Sequence, residues 1–232
     1  MDQLSKVCQI NQLVEQVNKH LLSELVLEGK DPLEPIQVVH YPEPWTLLGA
    51  GNYAAVLSHP DYPGYAVKVY AAGKPGLEAE REVYRLLGDH PSYSTCYYAD
   101  GPFLVLKQLM GTTIYDCFKR GIFIPEQAVC DIEQAMQYAR SVGLRPHDVH
   151  AKNVMLYQGR GLVVDVSDFL KQEPCRMWDD FKKAYDRLYY PIASRILFPI
   201  PSFLLEGVRK GYQLYRRRRR KTKQLPPHVP QA

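Results

Sequence analysis

Three oxygen-bearing side chains in the second half of the chain have types and spacing suited to phosphoryl transfer. Asp148 and Asn153 lie five residues apart in Pro146-His147-Asp148-Val149-His150-Ala151-Lys152-Asn153, and Asp165 ends the apolar run Leu162-Val-Val-Asp165. An aspartate within reach of a hydroxyl can orient it and accept its proton. An asparagine and a second aspartate can supply the few protein oxygens that Mg2+ requires beside phosphate oxygens.

Upstream, Ala66-Val67-Lys68-Val69 sets one lysine among apolar neighbours. Such a lysine must reach solvent or pair with a negative group. A phosphate and a helix glutamate are the pair that phosphoryl transfer calls for. Glu78, Glu80 and Glu82 follow on a charged segment, Leu77–Leu87. Glu80 is the favoured partner because Tyr84 and Leu87 come one and two turns later on the same side, with Glu82 second. Before the lysine, Gly49-Ala-Gly51-Asn-Tyr-Ala54-Ala-Val56 is a turn whose N–H groups can approach phosphate oxygens with no Cβ in the way. A strand pattern, not a helix, follows it, which excludes a dinucleotide-binding βαβ unit.

These residues need elements to position them. Trp45–Leu48, Tyr53–Leu57 and Tyr65–Tyr70 read as three short strands separated by turns, Leu77–Leu87 as a helix and Phe103–Leu106 as a further strand. Residues 126–142 place Ala128, Ile132, Ala135, Met136 and Ala139 on one helical face. Val154–Tyr157 and Gly161–Val166 read as a small hairpin, and 176–190 as helix. Strands plus one helix, then mainly helix, predict an α+β fold in two lobes. Ahead of this, Leu4, Val7, Ile10, Val14, Val17, Leu21 and Leu25 predict a helix over 4–28, stopped by Gly29 and Pro32. It either docks on the main domain or dimerises as a short coiled coil. Residues 31–44, with four prolines, read as a linker carrying a short strand at Ile36–Val39. The expected domains are thus 1–30 helix, 31–44 linker, 45–109 first lobe, 110–206 second lobe and 207–232 tail.

The 232-residue chain has ordinary globular composition, with 46% hydrophobic and 23% charged residues. Its five cysteines are odd in number and form no CxxC, so they read as reduced intracellular thiols. No basic and apolar leader opens the chain, and prolines with Arg195 interrupt the apolar stretch from 188 to 205, which argues against a membrane span. A cytoplasmic protein is expected. The net charge of +4 hides an asymmetry: 20 Lys and Arg face 25 Asp and Glu over 1–206, while 207–232 hold nine basic residues and no acid. The block Arg216–Lys223 reads as a solvated, disordered tail, with an anionic membrane surface or nucleic acid as alternative partners.

In order and spacing, residues 45–190 resemble the protein-kinase-like superfamily, and within it a small bacterial-type Ser/Thr kinase with an abbreviated activation segment. The resemblance implies an antiparallel N-lobe sheet plus helix, and a reduced helical C-lobe. It implies ATP and Mg2+, with Gly49, Gly51 and Val56 over the phosphates and Lys68 paired with Glu80. It makes Leu106 the gatekeeper and the backbone from Lys107 to Leu109 the adenine-binding hinge. Asp148 falls on the catalytic aspartate, and Asn153 and Asp165 on the metal ligands. The departures are informative. The third loop glycine is Ala54, and Pro146-His147 stands where an Arg would precede the aspartate. Asp165-Val-Ser replaces Asp-Phe-Gly, and His150 replaces the catalytic-loop lysine, as in small-molecule phosphotransferases. Asp179 and Asp180 offer a buried helix-start aspartate to brace the loop. The readings are a protein Ser/Thr kinase, a small-molecule hydroxyl kinase, or a nucleotide-binding pseudokinase scaffold.

Overall fold

The computed structural model describes residues 3–29 and 35–224. Helix α1 (Gln3–Gln16) runs through a π turn (Val17–Leu21) into a short α2 (Leu22–Glu24). The chain then leaves the helix: β1 (Val26–Glu28) pairs antiparallel with β2 (Gln37–His40). The helix predicted to residue 28 therefore stops four residues early, while the short strand expected at Ile36–Val39 is present one residue later as β2. Leu25 to Leu27 continue the helical spacing, but Leu25 turns to an extended backbone and Val26–Glu28 find a partner strand. Pro32 lies outside the described residues.

Next come β3 (Thr46–Ala50), β4 (Ala54–Ser58), β5 (Tyr65–Tyr70), α3 (Leu77–Leu87), β6 (Cys96–Asp100) and β7 (Phe103–Lys107). The strands form one antiparallel sheet in the order β3-β4-β5-β7-β6. Period-two alternation sorts their side chains between two cores. Val67, Val69, Phe103 and Val105 pack with Leu57 on one face, against Leu13, Val17 and Leu21 of the N-terminal helix. Each of these three helix residues removes about 2 kcal/mol worth of apolar surface from water. In an α-helix a four-residue step slightly overshoots one turn, whereas a π turn undershoots it. The π turn thus keeps Leu13, Val17 and Leu21 in line. Leu4 and Val7, expected on this face, are exposed.

The other face carries Tyr70, Leu104 and Leu106, covered by Val83, Tyr84 and Leu87 of α3 and continuous with the second core. That core is built from β8 (Thr112–Thr113), α4 (Ile114–Arg120), α5 (Glu126–Ser141), β9 (Val154–Tyr157), β10 (Arg160–Val163), α6 (Met177–Ala184) with its π turn (Tyr185–Tyr189), and α7 (Tyr190–Ala193). Ile132, Met136, Phe169 and Trp178 are buried in it. The result is the expected α+β arrangement of an antiparallel sheet with a helix, followed by mainly helix.

The hairpin β9–β10 lies hard against α5. A Cβ on Gly161 would meet the Ala128 carbonyl oxygen at 2.1 Å, so only glycine allows this approach. The Gly161 N–H donates to the buried Asp131 carboxylate, which Arg160 also grips through two hydrogen bonds. Burial would raise the Asp131 carboxyl, but these contacts outweigh it and hold it below the ordinary value.

The basic segment is a correction. Residues 202–224 form α8 (Ser202–Gln224), so the block from Arg216 to Lys223 is helical, not disordered. Arg and Lys are good helix formers, and the anchored first turns of α8 supply the nucleus that their repulsion would otherwise deny. Residues 225–232 lie outside the described residues.

Candidate active site

Lys68 sits on β5 opposite Val56 and Leu104, on the face that α3 covers. Its Nζ lies 2.8 Å from Oε1 and 2.6 Å from Oε2 of Glu80, which is fully buried. The remaining direction faces Asp165, with 3.7 Å between Nζ and Oδ1. Burial would lower the Lys68 ammonium, but Glu80 and Asp165 outweigh it and hold the pKa above the ordinary value, so the group is charged. Glu82 and Glu78 pair instead with Arg85 and Arg81 on the outer side of α3, which removes the second candidate partner. The Tyr70 hydroxyl donates a hydrogen bond to Oε2 of Glu80, so two donors from one strand clamp the carboxylate. Sequence reasoning missed Tyr70, although its position two residues beyond Lys68 on a strand places it on the same face.

On the facing side, Asp148 adopts a left-handed backbone at φ 59°, a conformation that Asp and Asn tolerate better than most residues. The loop closes on itself: the Asn153 amide donates to the Asp148 carbonyl at 3.0 Å, and the Asn153 N–H to the His150 carbonyl at 2.8 Å. With Nδ2 engaged, Oδ1 of Asn153 is the atom left as a ligand. The Val164 N–H donates to the Asn153 carbonyl at 3.0 Å, extending the β9–β10 ladder and bringing Asp165 alongside. Oδ1 of Asp165 accepts from the Ser167 N–H at 3.1 Å. Burial would raise the Asp165 carboxyl, but Lys68 and Ser167 outweigh it and hold it below the ordinary value. Asp148 moves the other way. Burial pushes its carboxyl up, and the carboxylates of Asp168 and Asp165 add to the rise against His150 and His147. His150 stands beside it, with Nε2 3.7 Å from Oδ2.

Asp168, three residues after Asp165, is a second feature missed from sequence. It takes the Lys171 ammonium at 2.7 Å and lies 3.8 Å from Nδ1 of His147. The Arg145 N–H donates to the Phe169 carbonyl at 2.8 Å, so this segment and the start of the Asp148 loop are stitched together. Lys152 is the third. Its Nζ lies 4.4 Å above the Tyr115 ring and 3.4 Å from Glu206 on α8, and the Tyr115 hydroxyl donates to Glu206 as well. Asp180, one of the two aspartates expected to brace the loop, is half-buried and accepts a hydrogen bond from the Tyr212 hydroxyl of α8.

The glycine-rich turn connects β3 and β4, with Gly49 opposite Val56. A Cβ on Gly49 would meet no heavy atom within 4 Å, so the fold itself does not require glycine there. The Gly51 N–H closes the turn on the Ala54 carbonyl, and its carbonyl accepts from Ile36. Gly51 therefore shapes the loop, and its own N–H is engaged. In the segment expected to form the hinge, Leu106 is buried between Ala66 and Cys96. The N–H groups of Lys107 and Gln108 donate to the carbonyls of Thr95 and Gly64, and Leu109 lies past the last ladder pair.

The donor chemistry suits a small hard cation. Asn153 and Asp165 offer oxygen only, and among the described residues no cluster of three or more His, Cys, Asp or Glu side chains could hold a metal without further ligands. No disulfide joins any of the five cysteines.

No protein-family model matches the chain. A protein of Bacillus subtilis (strain 168) named "Putative serine/threonine-protein kinase YrzF" is 32% identical over 180 residues, covering 71% of this chain and 77% of that protein. With an antiparallel sheet bearing a lysine–glutamate pair, set against a helical part that carries the Asp148–Asn153 loop, the chain belongs to the protein-kinase-like superfamily.

Proposed function

We propose that the protein is a kinase that moves the γ-phosphoryl group of ATP to a hydroxyl, with protein Ser or Thr as the first acceptor class. The observation that carries this reading is the buried Lys68–Glu80 pair, with Asp165 3.7 Å from the same ammonium and the Asn153-closed loop next to it. Lys68, held charged and pointed by Glu80, binds the phosphates. Gly49, Gly51 and Val56 roof them. Leu106 to Leu109 receive the adenine, with Leu109 as the backbone group beyond the sheet. Asp148 orients the acceptor hydroxyl and takes its proton as the bond to phosphorus forms. Asn153 and Asp165 hold Mg2+, which when bound neutralises phosphate charge and orients the transferring group. Little covalent work falls to the protein; position and fixed charge lower the barrier.

His150 favours a second reading, a small-molecule acceptor. It stands beside Asp148 where protein kinases use lysine, and only residues 166–176 separate Asp165 from α6, which leaves little chain to hold a peptide. Incubation with γ-labelled ATP and cell lysate, split into protein and metabolite fractions, separates the two. Label in protein supports the first reading, and label in metabolites the second. Label in neither, or equal label from Asp148→Asn, overturns the kinase assignment in favour of a nucleotide-binding scaffold.

A further inference from the structure

Helix α8 is fixed to the body by one side and leaves an apolar side to water. Glu206 accepts from Tyr115 and faces Lys152, and the Tyr212 hydroxyl donates to Asp180 at 2.9 Å. Leu205 is half-buried on the same side. At helical spacing, Phe203, Leu204, Val208, Leu214 and Tyr215 share a broad arc adjoining that anchored side, each between 50% and 73% exposed, with the Tyr215 ring 6.3 Å from that of Tyr212. Ile196 and Phe198, just before the helix, are also more than half exposed. An apolar stripe of this kind normally faces a core; here it faces solvent, which marks an interaction surface. The same helix continues through Arg216-Arg-Arg-Arg-Arg220-Lys221, within a segment of nine basic residues and no acid.

We propose that this face of α8 docks on an anionic lipid surface. The apolar side chains enter the boundary between headgroups and acyl chains, and the basic run that follows binds the headgroups. Charge selects this occupant over others. A second copy would bring nine basic residues against nine. A nucleic acid would satisfy the cations and leave Phe203, Leu204 and Val208 in water. The remaining 206 residues, with five more acids than bases, are repelled from an anionic surface, so α8 is the side that can approach it. Among the described residues no helix is long and apolar enough to cross a membrane, so α8 lies on the surface.

The test is co-sedimentation of the full chain with phosphatidylcholine vesicles, with and without about 30 mol% phosphatidylglycerol, at about 0.1 M and 0.5 M NaCl. Binding is expected to rise at least about tenfold with the anionic lipid and to weaken, without vanishing, at the higher salt. Phe203→Ser/Leu204→Ser and, independently, Val208→Ser/Leu214→Ser each reduce binding by about tenfold or more. Unchanged thermal midpoints show that these variants remain folded; the altered side chains are exposed, and the second pair stands if the first misfolds. Equal binding to both vesicle types overturns the proposal. So does wild-type-like binding by both folded pairs, preference for RNA in competition with anionic vesicles, or a stable dimer that the same pairs dissolve.

Discussion

The two faces of the five-stranded sheet are made by alternate residues of the same strands, yet they follow opposite rules. Toward the N-terminal helix, Val67 and Val69 meet Leu13, Val17 and Leu21 in an apolar layer. Toward α3, Lys68 and Tyr70 meet a fully buried Glu80. The apolar face follows from burial alone. The charged face does not, because desolvating an ion pair cancels most of its attraction and apolar residues of similar volume would hold the fold as well. Retaining a pointed ammonium at a buried address makes sense as a site, and the chain seals the back of that site with its own N-terminal helix.

The sharpest break in this comparison comes at Lys68. Lys68→Met is expected to lower catalytic efficiency by about a thousandfold and to destabilise by about 3 kcal/mol, since it strands Glu80. Adding Glu80→Leu is expected to restore most of the denaturation midpoint and none of the turnover. If activity returned with stability, the pair would be structural. On the other face, Leu13→Ala is expected to cost about 2–4 kcal/mol in chemical denaturation while the folded fraction keeps its turnover within about twofold. Tyr70→Phe removes one of two donors to Glu80. About 1 kcal/mol of stability and a severalfold loss of turnover are expected, and turnover unchanged would limit Tyr70 to packing.

The two aspartates of the candidate site, Asp165 and Asp148, sharpen the contrast through pH. Asp165, held below the ordinary carboxylate range, contributes stability above that range and loses it as pH falls through its lowered value. Asp165→Asn therefore costs most near neutrality. Asp148, pushed up, is a liability once ionised, so Asp148→Asn raises the thermal midpoint near neutrality and the gain fades in acid. Scanning calorimetry across pH checks both signs; parallel profiles for the two variants would contradict the opposed environments.

What could be read from sequence was what repeats or stands close along the chain. Alternation in Ala66–Tyr70 placed Lys68, turn spacing from Tyr84 and Leu87 chose Glu80, and the five-residue step from Asp148 to Asn153 marked the loop. Three kinds of feature escaped. β6 shows no alternation because its residues from Cys96 to Ala99 are all half-buried, and α4 is only seven residues long. The start of β1 is masked by leucines that prolong a helical pattern, and only pairing with β2 overrides it. Contacts between distant positions, such as Glu206 with Lys152 or Asp168 with His147, leave no trace in local spacing. The basic segment misled for another reason: self-repulsion argued for disorder, but helix propensity and an anchored first turn prevailed.

The central claim is that Lys68 and Asp165 together receive a metal-bound triphosphate. Calorimetric titration of the full chain with ATP, with Mg2+ and with a chelator, tests it directly on wild type and Asp165→Asn. The account predicts binding that Mg2+ strengthens by about tenfold or more in wild type and not in the variant. Equal affinity with and without Mg2+ in wild type, or an undiminished Mg2+ effect in Asp165→Asn, would contradict it.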